Sequence, residues 1–338
     1  MCTPFVYDVR KNLPWRATVL SSYVKQWKGA LMSQQYLALD LGGTFIKYAI
    51  MNRDGEFLKQ GKVPTKTKTE EKLRAGLADV RAEVDAYEYD GIAVSMPGRI
   101  DTAKGIAYTG GSFRWIKDFA AADMFSDVFY GKPATIANDG KCAALAESWL
   151  GSLADVNSGC ALVLGTGIGG GIVLNNEVWM GATGGAGELS AFITSFDIAK
   201  NGVGFSNLDA LWAGRVSASA ICGKYAFAKD IEKADGIMLF DAYEAGDPDA
   251  KAVLDEFGYQ VAIGIMSLQC VLDLERYAIG GGISARPETT TIIRDAVNAL
   301  FDKSGGWLPF GKPEIVTCTF GNEANLIGAL AFHLRAQK

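Results

Sequence analysis

Asp40-Leu41-Gly42-Gly43-Thr44 separates two apolar runs, and its residue types suit an anion. Two successive residues without a Cβ let backbone N–H groups approach a phosphate closely. The Thr44 hydroxyl adds a donor, and Asp40 is suited to hold a magnesium ion through water. An ordinary hairpin turn uses the same residues, so this motif alone does not decide. It is neither a G-x-x-x-x-G-K-[ST] loop nor a G-x-G-x-x-G turn opening a helix. The pattern returns at Gly165-Thr166-Gly167-Ile168-Gly169-Gly170-Gly171, where five glycines in seven positions exceed the needs of a bulged hairpin. Two such hairpins clasp a polyphosphate from both sides. A third run, Gly280-Gly281-Gly282-Ile283-Ser284, follows an apolar stretch. It fits either a flat adenine or ribose against bare backbone or tight helix–strand packing.

Acid–base chemistry has few carriers here. The chain holds one histidine, His333, set among Leu330, Phe332 and Leu334 on an apolar helix and read as structural. A general base in a cleft must then be a carboxylate, and Asp139, where a strand meets a helix, is the best placed. Its alternative reading is a helix cap. Asn138 beside it offers both a donor and an acceptor to the same substrate. The glycine-rich loop over 181–188 ends in Glu188, which reads equally as a bidentate partner for sugar hydroxyls or as a solvated acid.

The elements that position these residues follow from periodicity and punctuation. Residues 36–39 and 45–51 read as strands around the first glycine turn, with a second turn at Asp54-Gly55. Residues 69–84 show helical spacing. Residues 91–94 form a buried strand leading into Pro97-Gly98, and 133–137 another. An alanine-rich helix over 140–150 ends at Gly151. Strands at 160–164 and 169–174 repeat the opening pattern. A long helix over 248–272, a short strand at 277–279 and a closing helix over 324–333 complete the chain. Asp40 and Gly165 are 125 residues apart, so the chain reads as two related α/β halves with a cleft between them. The expected division is a small domain over 32–137 plus about 323–338, and a large domain over 138–322.

Composition agrees. At ~7% glycine usage a chain of this length would hold about 24 glycines; it holds 40. Fourteen of them lie in the three runs above and the 181–188 loop. A net charge of −5 argues against nucleic acid or an anionic membrane as partner. The longest uncharged stretch, 157–176, contains six glycines and reads as a buried hairpin rather than a membrane span. Six scattered cysteines with no C-x-x-C point to a reducing cytoplasm. Residues 1–31 carry five basic side chains and one acid without a continuous apolar core, so they are expected to be an upstream extension ahead of Met32 rather than a secretory signal.

In this order the motifs resemble the sugar-kinase branch of the ROK family (repressor, open reading frame, kinase) of the actin-like ATPase superfamily. The resemblance runs from Tyr36 to the C-terminus. A phosphate-1 hairpin matches 39–47, a Pro-Gly segment 95–101, an N-D-x-x-x-A-x-x-E segment 138–147, a phosphate-2 hairpin 164–171 and an adenosine motif 279–284. It implies duplicated actin-like ATPase (ribonuclease H-like) domains flanking the cleft and a homodimer. It implies ATP and magnesium as cofactors, with phosphoryl transfer to a hexose hydroxyl, the 6-hydroxyl of glucose or a β-glucoside. It makes Asp139 the catalytic base and gives Asn138, Glu188 and Gly98 to the sugar. Asp40, Gly42, Gly43, Thr44, Lys47, Gly165, Thr166, Gly167, Gly281 and Gly282 go to the nucleotide and its metal. Many members carry Glu-x-Gly-His and then a zinc-binding cysteine cluster. Here the histidine position is Ala191 and no cluster follows, so no zinc site is expected and the pattern is similar to β-glucoside kinases. Asp209, in Asn207-Leu208-Asp209-Ala210, stands where the family has a second sugar-binding acid. An N-acetylmannosamine or other amino-sugar kinase, a sugar-sensing regulator and an ATPase without a sugar acceptor remain alternatives.

Overall fold

Strands buried on both faces need cover on both sides, and two such strands organise the molecule. The computed structural model describes residues 34–337; the extension expected over 1–31 lies outside the described residues. β1 (Gln35–Leu41) is buried at every position after Gln35. It pairs antiparallel with β2 (Phe45–Asn52) and parallel with β4 (Gly91–Met96), while β3 (Phe57–Pro64) lies antiparallel on the far side of β2. β3 alternates half-buried and exposed residues, as an edge strand facing water does. A small antiparallel sheet of β5 (Ile100–Asp101), β6 (Ile106–Thr109) and β7 (Lys117–Phe119) intervenes. β8 (Ala134–Asn138) then closes the first sheet in the order β3-β2-β1-β4-β8.

The second half repeats this plan. β9 (Ser158–Leu164), β10 (Ile168–Leu174), β11 (Glu177–Val178), β12 (Arg276–Gly280) and β13 (Glu314–Thr317) take the order β11-β10-β9-β12-β13 with the same strand senses. The uncharged stretch over 157–176 is the β9–β10 hairpin, and no helix among the described residues is long and apolar enough to cross a membrane.

Helices cover the sheets. α1 (Glu70–Val84) starts at Thr69, whose hydroxyl accepts from Lys72 N, and buries Leu73, Leu77, Val80 and Val84 as one stripe. α2 (Ala121–Val128) precedes β8, and α3 (Asp139–Leu150) follows it. Short helices α4 (Phe196–Ala199) and α5 (Trp212–Val216) lead to α6 (Ala218–Ala228) and α7 (Gly236–Glu244). α8 (Pro248–Leu272) has the bounds expected from its sequence: Asp247 caps it, proline occupies its first turn, and Asp273 ends it at φ 45°. α9 (Pro287–Lys303) packs on α8, and α10 (Ala324–Ala336) closes the chain.

The crossing of α3 and α10 decides how the halves meet. α10 buries Leu326, Ile327 and Leu330 against Tyr36, Ala38 and Ala93 of the first sheet, and α3 packs on β9 and β10 of the second. On this packing we propose the division at 137/138, with the final helix returned to the first half. Where the helices cross, Gly328 lies against the Cys142 carbonyl with no room for a side chain. His333 is buried in the first half, edge-on to Tyr36 at 5.4 Å, with Nδ1 3.0 Å from Thr135 Oγ1. Burial pushes its pKa down to about 4, so it is neutral at physiological pH.

Candidate active site

Asp40 ends β1 on the edge where the parallel strands of the first sheet finish. It is 5% exposed, and its Oδ1 accepts from Ser95 Oγ at 3.1 Å and Asn325 Nδ2 at 3.0 Å. Lys47 Nζ lies 3.5 Å from Oδ2 and also donates to the Asn322 carbonyl at 3.1 Å. The first hairpin, the top of β4 and the start of α10 therefore hold one carboxylate together. Gly42 N donates to Phe45 O at 3.0 Å, which closes the turn and leaves Gly43 and Thr44 exposed at its tip.

The second hairpin is closed the same way, by Gly165 N to Gly167 O at 3.0 Å, with Thr166 exposed. Ser190 Oγ braces it, accepting from Ile168 N at 2.8 Å and donating to Ile168 O at 3.0 Å. Nothing lies within 4 Å of the space a Cβ would occupy at Gly165 or Gly282, so bare backbone faces open space there. Gly281 adopts φ 94° and packs against the Leu164 carbonyl, which ties this turn to the end of β9. A cavity of about 430 Å³ lies between Lys47, the turn at 280–282 and residues 322–325.

α3 opens at the centre of this arrangement. Asn138 caps it, Oδ1 accepting from Lys141 N at 3.1 Å, while Nδ2 donates to the Gly98 carbonyl at 2.9 Å. Asp139 follows, with Oδ1 accepting from Gly140 N at 2.9 Å. Burial pushes its carboxyl up to about 6; the Gly140 N–H and Lys141 oppose this, and the Asp40 and Glu188 charges add to it. Glu188 is 56% exposed on its side chain, and its Oε1 accepts from Lys141 Nζ at 3.1 Å. The loop before it is not free: Gly184 packs against the Ile100 carbonyl and Gly187 against Gly171. Asp209 is exposed in the 3-10 segment Phe205–Ala210, its carbonyl accepting from Arg215 Nε, and no hydrogen bond joins it to Asn138, Asp139 or Glu188.

The sequence profile of the ROK family matches residues 36–336. The chain belongs to the ROK family. A β-glucoside kinase of Klebsiella pneumoniae is 29% identical to it over 296 residues, which cover 87% of this chain and 94% of that one. The crystal structure of a ROK family protein from Streptococcus pneumoniae in complex with sucrose matches it with a TM-score of 0.79 at 25% identity, over 90% of this chain and 99% of that one. A ROK family transcriptional regulator, a homologue of the E. coli MLC protein, matches with a TM-score of 0.78 at 20% identity, over 90% of this chain and 79% of its own. The fold is the duplicated actin-like ATPase α/β fold of the ROK proteins.

Ser95, Asn325, Ser190, Lys141 and Glu147 are site neighbours that the sequence motifs did not single out by role. Glu147, at the far end of α3, is 1% exposed. It accepts from Phe320 N at 2.8 Å on Oε1, and from Ser152 N, Ser152 Oγ and Thr319 N at 2.8, 2.8 and 3.0 Å on Oε2. One helix thus carries Asp139 at its start and, at its end, pins the segment beside the cavity. Glu147→Gln replaces one acceptor oxygen by a donor facing an N–H, and is expected to lower the unfolding free energy by about 2 kcal/mol, read from the urea midpoint.

Proposed function

We propose that this ROK protein is an ATP-dependent sugar kinase that transfers the γ-phosphoryl group to a hexose hydroxyl, the 6-hydroxyl of glucose or a β-glucoside. The observation that carries this reading is Asp139: a largely buried carboxylate between two glycine hairpins, with no ion pair among the described residues. The similarity to β-glucoside kinases over nearly their full length supports the substrate class.

The residues present fit the nucleotide and its metal. Backbone open at Gly165 and Gly282 suits phosphate and nucleoside, and Lys47 lines one cavity with Gly282. Among the described residues no three His, Cys, Asp or Glu side chains gather at one point. Magnesium held by phosphates, waters and a single carboxylate needs no such group, and Asp40 is the carboxylate in place. When bound, ATP and magnesium supply the phosphoryl group and the cation that spreads its charge.

The chain's own part is positioning and proton transfer. Asn138 fixes the start of α3 against the Gly98 turn, so Asp139 is presented at a set depth in the cleft. Glu188 offers its free oxygen to the acceptor sugar. Asp139 accepts the hydroxyl proton as the oxygen attacks, a contribution of roughly 10²–10⁴-fold. At about 6 its pKa still leaves it ionised at neutral pH, and the raised proton affinity makes it a better base than an ordinary aspartate. The exposed Gly43, Thr44 and Thr166 and the backbone of Gly167 lie where closure of the halves would bring donors onto phosphate.

A coupled ADP-release assay over glucose, cellobiose, gentiobiose, N-acetylglucosamine, N-acetylmannosamine and fructose tests the reading. Turnover with glucose or a β-glucoside is expected. Turnover confined to an amino sugar would move the substrate class, and sugar binding without turnover would favour a regulator, a use of the same fold in another ROK protein.

A further inference from the structure

The Asp40 and Glu188 charges both act on Asp139, and each of those two carboxylates has a lysine of its own. Lys47 faces Asp40 at 3.5 Å and Lys141 faces Glu188 at 3.1 Å, while Asp139 accepts from the Gly140 N–H and has no ion pair among the described residues. Lys47 is one-third exposed, as surface lysines often are. Lys141 is not: its side chain is 1% exposed, which makes it one of the largest wholly buried side chains of the protein. It also lies in the first turn of α3, where the helix dipole opposes a cation. Taking an ammonium out of water costs several kcal/mol, and an apolar side chain of that length would be more stable there.

The backbone around it is arranged to admit that burial. A Cβ at Gly140 would lie 2.6 Å from Gly170 N, one at Gly171 3.5 Å from Lys141 Cα, and one at Gly187 3.3 Å from Gly171 Cα. The start of α3, strand β10 and the loop before Glu188 therefore stack backbone on backbone. The lysine leaves this stack with its ammonium on Glu188 Oε1. Glu188 Oε2 has no hydrogen-bond partner among the described residues, and the side chain is more than half exposed. One oxygen is tied back and the other is left without a protein partner on an exposed side chain.

We propose that Lys141 is a positioning residue for the acceptor sugar, holding the Glu188 carboxylate in one orientation so that its free oxygen receives a sugar hydroxyl. The role rests on the kinase reading and on Glu188 as a sugar contact. It sets sugar affinity rather than the rate of transfer. Asp139 lies within electrostatic reach of both members of the pair, and Asp40 is its other acidic neighbour.

The test uses glucose and cellobiose with ATP at about pH 8, where Asp139 is ionised with or without Lys141. Lys141→Met removes the charge and keeps the length. Its sugar KM is expected to rise about tenfold or more, the weight of a hydrogen bond to a charged group. Its kcat and ATP KM should stay within about threefold of wild type, and its melting temperature should not fall. In a Glu188→Gln background, Lys141→Met should add no further rise in sugar KM, because the carboxylate it orients is gone. An unchanged sugar KM in Lys141→Met, or an equal rise in both backgrounds, overturns the role while leaving the kinase reading in place. A wild-type protein that neither binds nor phosphorylates either sugar overturns both.

Discussion

Asp139→Asn should abolish sugar-dependent ADP release, with kcat falling by roughly 10²–10⁴-fold, while the dissociation constant for the sugar stays near its wild-type value. Asparagine keeps the volume and the acceptor for Gly140 N, so a loss of turnover reports the missing base rather than a collapsed site. Turnover at the wild-type rate would show that another group takes the proton. The wild-type pH profile carries the same signature. Asp139 must be ionised to act, and its pKa is raised to about 6, so kcat/KM should climb with pH through about 6 and then level off. The variant also makes a stability prediction of opposite sign. The folded state holds the Asp139 proton more tightly than the unfolded chain, whose aspartate titrates near 3.8. Stability is therefore greatest below the unfolded value and declines as pH rises from there through the folded value. At neutral pH the ionised carboxylate carries a folding penalty on the order of 2–3 kcal/mol. Asp139→Asn should melt higher than wild type at pH 7, and the difference should vanish toward pH 4. A variant that loses activity and melts lower at both pH values would point to structural damage instead.

Gly328→Ala should be strongly disruptive for a single added methyl group. A Cβ there would meet the Cys142 carbonyl, which belongs to the backbone of α3 and cannot rotate away. Relief requires the two helices to separate, and overpacking of this kind costs about 3 kcal/mol or more. The expected result is a lower urea midpoint with an unchanged slope. Activity should fall as well, measured below the unfolding transition, because α3 begins at Asp139 and α10 begins next to Asn325, which holds Asp40. A small shift of the crossing moves Asp139 relative to Asp40, and on the proposed kinase reading such misplacements are expensive in rate. A fully folded variant with wild-type kcat would show that the crossing does not set the alignment.

Much of the architecture was legible because it is encoded locally. Apolar runs broken by glycine predict β1–β2 and β9–β10, and both hairpins form with their turns at the expected glycines. α8 matches its expected limits because Asp247 and proline start it and a left-handed Asp273 stops it. The duplication was visible because one motif occurs twice at domain spacing, and the strand orders repeat accordingly. The three-stranded sheet of β5, β6 and β7 was not legible. Its strands are two, four and three residues long, too short for a period-two pattern to stand out from a loop.

The site divides along the same line. The sequence by itself determined which chemical groups are available: glycine turns open to an anion, a best-placed carboxylate at Asp139 in a chain with one histidine, and one glutamate at the end of a glycine loop. It also determined the ROK membership, which follows from the order of those motifs and is shown by the family match. Only the tertiary structure decided how they are charged and held. Asn325, far along the chain, reaches Asp40, and Lys141 reaches Glu188 from a helix the loop does not belong to. Asp40 and Glu188 each pair with a lysine, Asp139 has no ion pair among the described residues, and its burial, with those two charges nearby, raises its proton affinity. No spacing rule contains this, because pairing and burial depend on distances between segments that only the folded chain brings into contact.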